Sequence, residues 1–325
     1  MALNVYYLHP PAQEFLAYLE PRLSPEIKFS AGEDQTVPVN SQILIAGRPK
    51  REQLLELPKL EKLIIPWAGI PPDTRQLMLD FPDIAVHNLH HNAAPVAEMV
   101  LALLLAAAKF IVPMDRSLRA NDWRPRYWPT PALLLKDKTA LILGYGAIGR
   151  RVAGLCQQLG MRVLAIKRRP TAETGPADEI HPPADLHQLL PQTDALLICL
   201  PHTPETDGLI GQDELELLPD KAVLVNVGRG SIVVEGALYQ ALRDGRLYAA
   251  GLDVWYNYPD DEESRADTAP ANYPFHELDN VVMSPHRGGS TTESNFLRME
   301  SLACLLNKAA RGEPFPNRVD IEVGY

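Results

Sequence analysis

Cysteine is scarce in this sequence, and its few residues stand far apart. Cys156, Cys199 and Cys304 form no CxxC pair, which argues against a structural zinc site and against a disulfide framework. Such cysteine usage is typical of proteins that are kept in a reducing compartment. We therefore expect a cytoplasmic protein without a metal centre.

Basic charge and long apolar runs are also in short supply. Lysine and arginine together number 31 against 41 aspartate and glutamate residues, for a net charge of −10. Such a balance predicts no general affinity for nucleic acid or for an anionic membrane surface. The most apolar stretch, residues 99–108, reaches only about half the length that a bilayer requires and is expected to be a buried helix. The first residues lack the pattern of a secretory signal.

Apolar runs alternate with amphipathic stretches in two series along the chain. Alternation of this kind predicts parallel sheets that are covered by helices on both faces. The runs of the first series, expected to be strands, are residues 5–8, 43–46, 63–66 and 84–88. Those of the second are residues 139–143, 162–166, 195–200, 222–226, 249–253 and 281–284. The second series has the number of strands that a doubly wound nucleotide-binding sheet requires.

Two long helices are predicted beside these series. One covers residues 95–120 with Pro95 in its first turn, where a missing N–H costs nothing, and the other covers residues 292–310. The predicted fold class is α/β. A Rossmann dinucleotide-binding domain, residues 95–290, is inserted into a smaller flavodoxin-like α/β substrate domain made of residues 1–94 and 291–325.

A glycine-rich turn follows the first strand of the second series. Gly144-Tyr145-Gly146-Ala147-Ile148-Gly149 matches GxGxxG and opens an amphipathic helix. In this context Gly144 permits a tight turn, Gly146 lets the backbone approach a pyrophosphate, and Gly149 allows close packing of helix and strand. The N-terminus of the helix offers free N–H groups to the phosphates. The turn therefore predicts a bound nicotinamide dinucleotide.

The end of the next strand indicates which dinucleotide is bound. An NAD site usually places Asp or Glu about 20 residues after the turn, where it accepts a hydrogen bond from the ribose 2′-hydroxyl. Here the strand ends in Lys167, Arg168 and Arg169. This cluster would attract a 2′-phosphate, so NADP(H) is predicted in preference to NAD(H), which stays possible. A basic turn in contact with solvent is the alternative.

A series of motifs resembles the D-isomer-specific 2-hydroxyacid dehydrogenase family, which includes glyoxylate and hydroxypyruvate reductases. In the family's order, they are Val96-Ala97-Glu98, the glycine turn, Leu200-Pro201-His202-Thr203-Pro204-Glu205-Thr206, Val225-Asn226-Val227-Gly228-Arg229-Gly230, Gly251-Leu252-Asp253-Val254 and Ser284-Pro285-His286-Arg287-Gly288-Gly289. The resemblance implies a homodimeric oxidoreductase that transfers a hydride between the nicotinamide and a small 2-oxo or 2-hydroxy acid. A sensor or corepressor that binds the dinucleotide without turnover is the alternative from another class.

The resemblance also implies roles for individual residues. Arg229 matches the arginine that binds the substrate carboxylate and polarises the carbonyl, and His286 matches the acid/base. Asp253 matches the residue that holds the nicotinamide carboxamide. Further cofactor contacts are expected at Leu200, Pro201, Thr206, Val227, Gly228, His286 and Gly288. Substrate contacts are expected at Trp67-Ala68-Gly69-Ile70, together with Arg229 and His286.

One position departs from the family pattern. A glutamate normally follows the Asp-Val pair by a few residues and pairs with the histidine, whereas this chain has Tyr258. A neutral phenol can orient an imidazole but cannot stabilise imidazolium as a carboxylate does. Three interpretations stay open: His286 works unaided with a lower pKa, Asp260 or Asp261 supplies the carboxylate, or the reaction needs no proton transfer. The third matches formate dehydrogenases, which are related to the family and share an asparagine at the position of Asn92.

Two other segments carry unusual residues. In the family, His90 and His91 would border the cleft between the domains, where they either contact substrate or belong to a plain polar loop. Adjacent histidines on an extended segment point to opposite sides, so a metal site is not expected there. Residues 110–136 correspond to the dimerisation arm, in which Trp123, Arg124 and Arg126 either pack in the interface or reach the partner's active site. The acidic, proline-rich residues 258–274 are expected to form a solvated insertion.

Overall fold

The computed structural model describes residues 2–33, 37–170 and 173–324. The chain divides into two compact units, of which unit 1 comprises Met1–Asn92 and Ser290–Tyr325, and unit 2 comprises Ala93–Gly289. The strands are β1 Leu3–Leu8, β2 Ile27–Gly32, β3 Ile43–Ile45, β4 Lys62–Ile65, β5 Ala85–Asn88, β6 Thr139–Leu143, β7 Arg162–Ile166, β8 Glu179–His181, β9 Ala195–Ile198, β10 Val223–Asn226, β11 Ala249–Leu252 and β12 Val281–Met283. The α-helices are α1 Gln13–Leu19, α2 Arg51–Leu55, α3 Pro72–Met78, α4 Ala93–Lys109, α5 Ile111–Arg119, α6 Ala147–Gln158, α7 Leu186–Leu189, α8 Gln212–Leu217, α9 Glu235–Arg243 and α10 Ser294–Ala310.

Unit 1 is built on a five-stranded parallel sheet. Its order is β2-β1-β3-β4-β5, which is the flavodoxin order and confirms the predicted class of the smaller domain. Alternate residues of β1 face opposite sides of the sheet. Val5 and Tyr7 pack with α1 and α10, while Tyr6 and Leu8 pack with α2 and α3.

Unit 2 is built on a seven-stranded parallel sheet. Its order, β12-β11-β10-β9-β6-β7-β8, is the Rossmann order with one further strand at the β12 edge, which confirms the predicted Rossmann class. Six of the seven strands were predicted, and β8 was not. On one face Ala140 and Ile142 of β6 pack with α4 and α6. On the other face Leu141 and Leu143 pack with α8 and α9. Both faces of the sheet are therefore buried, which explains the near-continuous apolar runs.

The prediction of one helix over residues 95–120 is wrong. Helix α4 ends at Lys109, Phe110 takes a left-handed conformation with φ 53°, and α5 then begins. Pro113 explains the break, because a continuous helix would need its missing N–H and would force its ring against the Lys109 carbonyl. In the first turn of a new helix the same proline costs nothing.

Helices α4 and α5 were compared with the length and composition of a membrane span. In the part of the chain that the structure describes, no single helix is long and apolar enough to cross a membrane. The two helices reach that length and composition only together, and they are bent by 67° at the break.

Candidate active site

The residues to which the sequence assigns chemistry in unit 2 follow four strands of its sheet. The glycine turn follows β6, Arg229 follows β10, Asp253 follows β11, and His286 follows β12. Because the carboxyl ends of parallel strands meet at the same edge of a sheet, all four lie on one edge of unit 2.

The glycine turn has the geometry that a bound pyrophosphate needs. Gly144 has φ +96°, and a Cβ there would lie 2.9 Å from the Cys199 carbonyl group. A Cβ on Gly149 would lie 2.1 Å from the Gly144 carbonyl oxygen. Gly146 precedes α6, and no side chain caps this helix, so its first N–H groups are left for an anion. The residues present therefore fit a dinucleotide.

The side chains of the turn face the interior of unit 2. The Tyr145 hydroxyl donates a hydrogen bond to the Thr174 carbonyl (2.6 Å) and accepts one from the Ala177 N–H (2.9 Å). Ile148 packs against the apolar cluster under α6. Contacts of Tyr145 and Ile148 with phosphates would therefore come from their backbone, while the phenol anchors the loop that follows the basic cluster.

The basic cluster at the end of β7 is free of ion pairs within the described residues. Lys167 is half-buried, and its N–H donates to the His181 carbonyl, while Arg168 and Arg169 are exposed. Within the described ranges, none of the three side chains forms an ion pair. The charge is thus available to an anion at this end of the strand.

Residues 200–206, which follow β9, were also predicted to contact the cofactor. The Thr206 hydroxyl donates to the Pro201 carbonyl (2.8 Å) and accepts a hydrogen bond from the Thr203 N–H (2.8 Å). Leu200 and Val227 pack against the two apolar clusters of unit 2. These side chains shape the loop, and their predicted contacts with a cofactor stay predictions.

A buried asparagine sets the turn that carries Arg229. The Asn226 carboxamide accepts a hydrogen bond from the Gly228 N–H (3.0 Å) and donates one to the Arg229 carbonyl (2.9 Å). A Cβ on Gly228 would lie 2.5 Å from the Leu200 carbonyl oxygen, so the position needs glycine. Sequence reasoning assigned no role to Asn226, although a polar residue at the end of an apolar strand was a usable signal.

The Arg229 side chain is exposed, and its charge lacks a partner of opposite sign. Nη1 donates to the Gly228 carbonyl (2.6 Å), and no carboxylate pairs with the guanidinium among the described residues. A planar guanidinium in this state can bind a carboxylate through two parallel hydrogen bonds.

Asp253 holds the loop that carries His286. Its buried carboxylate accepts hydrogen bonds from the Ser284 hydroxyl (2.5 Å), the Arg287 N–H (2.9 Å) and the Gly288 N–H (2.8 Å). A carboxylate has about four acceptor positions, so most of them are used within the protein. The clearest role of Asp253 in the structure is therefore to position this loop, and its predicted contact with the nicotinamide stays a prediction.

His286 has an unusual backbone conformation. Its φ of 56° lies in the left-handed region, which is rare for residues other than glycine and is often found at functional sites. The His286 N–H donates to the Ser284 carbonyl (3.0 Å). The bonds of Asp253 to the flanking residues help to keep the histidine in this strained conformation.

The imidazole of His286 contacts Tyr258. The Tyr258 hydroxyl lies 2.9 Å from His286 Nδ1 and accepts a hydrogen bond from the Trp255 N–H (3.2 Å). Burial and the charge of Arg229 lower the pKa of His286, while the charge of Asp253 opposes them. Burial raises the pKa of Tyr258, against the Trp255 hydrogen bond and the charge of Arg229. At neutral pH both groups are therefore uncharged.

Neither of the two aspartates weighed as a replacement for the glutamate contacts His286 in the described part of the chain. Asp261 accepts a hydrogen bond from the Ser264 N–H (2.8 Å), and this bond lowers the pKa of its carboxyl group. Asp260 is exposed. The observed partner of the imidazole is the phenol, so the second interpretation of the missing glutamate is not supported.

The remaining predicted residues belong to unit 1. The Ala68 carbonyl accepts a hydrogen bond from the Asn88 carboxamide (2.6 Å), which ties the loop of residues 67–70 to β5. The Trp67 ring fills the space where a Cβ on Gly47 would lie. Ile70 packs against an apolar cluster of this unit. The predicted contact of Trp67, Ala68, Gly69 and Ile70 with substrate stays a prediction.

The histidines before α4 are held in their neutral form. Burial, the charge of Arg298 and the neighbouring His90 lower the pKa of His91 to about 4. Burial also lowers the pKa of His90. His91 Nδ1 and Asn92 Oδ1 have no hydrogen-bond partner among the described residues. Those residues also contain no group of three or more His, Cys, Asp and Glu side chains that could hold a metal ion.

Comparison with known proteins places the chain in a family. Residues 101–288, more than half of the chain, match the model of the D-isomer specific 2-hydroxyacid dehydrogenase NAD binding domain. The D-3-phosphoglycerate dehydrogenase of Archaeoglobus fulgidus is 31% identical over 98% of this chain and 59% of that protein. The glyoxylate reductase of Aeropyrum pernix is 40% identical over 70% of this chain and 66% of that protein. The chain thus spans less than two thirds of each of these relatives.

Solved structures agree with the sequence relatives. A D-isomer specific 2-hydroxyacid dehydrogenase from Xanthobacter autotrophicus Py2, crystallised with NADPH and MES, is 25% identical with a TM-score of 0.79. The match covers 100% of this chain and 99% of that one. With the motifs, both sheet orders and the matched domain taken together, the chain belongs to the D-isomer-specific 2-hydroxyacid dehydrogenase family.

Proposed function

We propose that this protein is an NADP(H)-preferring oxidoreductase that reduces a small 2-oxo acid to the 2-hydroxy acid, as a glyoxylate/hydroxypyruvate reductase does. One observation carries the proposal: the nucleotide-binding edge of one sheet presents both the imidazole of His286 and the guanidinium of Arg229, which has no carboxylate partner among the described residues. A 2-oxo acid presents a carboxylate and a carbonyl side by side, and these two groups match that pair.

The residues divide the reaction between them. Arg229 binds the carboxylate and polarises the carbonyl, and its permanent charge stabilises the alkoxide that develops on the carbonyl oxygen. His286 supplies the proton that this oxygen takes up. Asp253 keeps the His286 loop in place through its three hydrogen bonds. Reduced nicotinamide, when bound at the glycine turn, supplies the hydride.

The cofactor preference rests on the end of β7. Lys167, Arg168 and Arg169 stand where a carboxylate would select NAD(H), and their side chains form no ion pair within the described ranges. A 2′-phosphate accepts charge-assisted hydrogen bonds from such groups, whereas a 2′-hydroxyl gains little from them. The NADPH bound to the Xanthobacter autotrophicus relative is consistent with this preference.

A substrate panel tests the proposed function. We expect the purified protein to oxidise NADPH, followed at 340 nm, in the presence of glyoxylate, hydroxypyruvate or pyruvate, and to use NADH less well. Phosphohydroxypyruvate is added because one relative is a D-3-phosphoglycerate dehydrogenase. A parallel assay follows the oxidation of formate with NADP+ or NAD+. Activity with formate and with none of the 2-oxo acids would replace this proposal by the formate-dehydrogenase alternative. Tight NADPH binding without turnover of any of these acids would favour a sensor or corepressor.

We also propose that the protein is a homodimer joined through residues 110–136. This arm presents large apolar side chains that are between 49% and 79% exposed, namely Ile111, Leu118, Trp123, Tyr127, Trp128 and Leu134. A monomeric soluble protein seldom exposes so many in one segment, so a second copy is expected to cover them. Arg124 pairs with Asp122 (2.7 Å), which leaves Arg126 as the better candidate to reach the partner's site.

Charge in the arm should break the dimer. We expect the double variant Tyr127→Glu and Trp128→Ser to sediment as a monomer where the unmodified protein sediments as a dimer, because a carboxylate would be buried in an apolar contact. Leu55→Glu is the matched control, since Leu55 is 67% exposed on α2 outside the arm. A dimer that survives the double variant, or an unmodified protein that is monomeric at all concentrations, contradicts the proposal.

A further inference from the structure

We propose that Tyr258 sets the tautomer of His286: the phenol O–H donates to Nδ1, and the neutral imidazole therefore carries its proton on Nε2. Tyr258 is then a positioning residue that acts through the histidine. The inference rests on the proposed function for its consequence, but the protonated ring nitrogen can be measured without any turnover.

The direction of the hydrogen bond follows from the second partner of the phenol. Tyr258 Oη lies 3.2 Å from the Trp255 backbone nitrogen and 2.9 Å from His286 Nδ1. A backbone N–H can only donate, so the oxygen accepts on that side and has its single proton left for the imidazole. In the opposite tautomer, both the Trp255 N–H and the His286 Nδ1–H would donate to the phenol oxygen. The phenol proton would then form a hydrogen bond with neither Trp255 nor His286.

Both members of the pair are held in place by neighbouring buried groups. Trp255 is buried, and its indole Nε1 donates to the Ser284 carbonyl (2.8 Å), which also accepts from the His286 N–H (3.0 Å). The Asp253 carboxylate fixes the same loop from its other side. The distance between the phenol and the imidazole is thus set by the backbone of unit 2.

Burial and the charges around the imidazole favour its neutral form, and only the neutral form has two tautomers. The groups of unit 2 that act on His286 are Tyr258, Arg229 and Asp253. Burial and the guanidinium of Arg229 lower the pKa of the imidazole, and the carboxylate of Asp253 only partly compensates. The histidine is therefore neutral at neutral pH, and Tyr258 decides which nitrogen carries the remaining proton.

This tautomer is suited to reduction. An Nε2–H donates a hydrogen bond to the substrate carbonyl, whereas a carboxylate partner would accept from Nδ1–H and leave the neutral Nε2 as a base. After the carbonyl carbon has accepted the hydride, its oxygen takes the Nε2 proton and Nδ1 takes the phenol proton. The Trp255 N–H and the charge of Arg229 stabilise the phenolate. After the product leaves, Nε2 takes a proton from solvent and Nδ1 returns its proton to the phenolate, which restores the starting tautomer.

The first test reads the tautomer directly in the ligand-free protein. Two-bond ¹⁵N–¹H correlation spectra distinguish Nδ1–H from Nε2–H rings, and His286→Asn identifies the His286 signals among nine histidines. We expect an Nε2–H ring in the unmodified protein. Tyr258→Glu should change it to Nδ1–H and raise its pKa, because a carboxylate accepts and favours imidazolium. An Nδ1–H ring in the unmodified protein, or no change in Tyr258→Glu, overturns the inference.

The second test uses the pH dependence of reduction. We expect kcat/KM to stay nearly level from about pH 6 to about pH 9 in the unmodified protein, because the neutral imidazole still donates until the phenol ionises. In Tyr258→Glu only imidazolium can donate, so kcat/KM should fall about tenfold per pH unit above the imidazole pKa. Identical profiles for the two proteins would overturn the inference.

Two further variants separate this role from a merely structural one. Tyr258→Phe is nearly isosteric and should lower kcat about tenfold or more without changing KM for NADPH, because it removes only the proton donor. Tyr256→Phe removes a hydroxyl that donates to the Val233 carbonyl (2.9 Å) and should change neither the tautomer nor the pH profile. An unmodified protein with the Nε2–H ring but no turnover would contradict the proposed function and leave the tautomer assignment standing.

Discussion

Replacing Arg229 by glutamine is expected to lower kcat/KM for reduction of the preferred 2-oxo acid by about 10⁴-fold. The variant loses both the partner of the substrate carboxylate and the charge that stabilises the developing alkoxide. Removal of a single donor of this kind costs about 10²–10³-fold, so the loss of both roles should exceed that range. Arg229→Lys keeps the charge but not the planar guanidinium, and we expect its kcat/KM to lie between those of the unmodified protein and Arg229→Gln.

The pH dependence of the Arg229 variants gives a second readout. Because the guanidinium helps to lower the pKa of His286, its removal in Arg229→Gln should raise that pKa. Imidazolium would then persist to a higher pH than in the unmodified protein, which NMR titration of the ring can follow. Arg243→Gln, an exposed arginine that pairs with Asp244, is the matched control and should leave both readouts unchanged. A loss of less than about tenfold in Arg229→Gln would remove this residue from the site.

The second large effect concerns the cofactor. Combining Lys167→Asp with Arg168→Ala should raise KM for NADPH about 100-fold while KM for NADH changes only a few-fold, since each charge-assisted hydrogen bond contributes about 1.5–3 kcal/mol. The introduced aspartate would repel the 2′-phosphate and could accept a hydrogen bond from a 2′-hydroxyl. The ratio of kcat/KM for the two cofactors, measured with one 2-oxo acid, reports the effect.

The control for this prediction lies on the same strand. Arg162 stands at the amino end of β7, opposite the cluster, and pairs with Glu179 (2.6 Å). Arg162→Ala removes a positive charge from β7 and should leave the cofactor ratio unchanged. An equal rise of KM for NADPH and NADH in the double variant would show that the cluster does not contact the 2′-phosphate.

The sequence pattern predicted those strands whose residues are mostly buried, because burial on both faces requires a run of apolar residues. The predicted strands 139–143 and 162–166 coincide with β6 and β7, because both are buried on two faces and read as continuous apolar runs. Strands β2 and β8 escaped prediction. Each lies at an edge of its sheet and is only partly buried, so its residues need not be apolar.

In the candidate site, too, some features follow from the sequence and others only from the tertiary structure. The sequence by itself determined the glycine turn, the basic end of β7, and the presence of Arg229, Asp253 and His286, since these depend on residue type and on position after a strand. Asn226, which sets the Arg229 turn, lies within three residues of its partners and had a local signal in the sequence. Tertiary structure alone decided that Ser284, 31 residues along the chain, donates to the Asp253 carboxylate.

The partner of His286 was also decided by tertiary structure. The sequence placed Tyr258 at the position of the missing glutamate but could not tell which atom its proton would face. The direction of the phenol proton depends on the Trp255 N–H, which donates to the phenol oxygen. It also depends on the loop bound to Asp253, which brings His286 Nδ1 to 2.9 Å from the Tyr258 hydroxyl oxygen. Hydrogen bonds between residues far apart in the chain have no local signature, because their geometry exists only after β11 and β12 have paired.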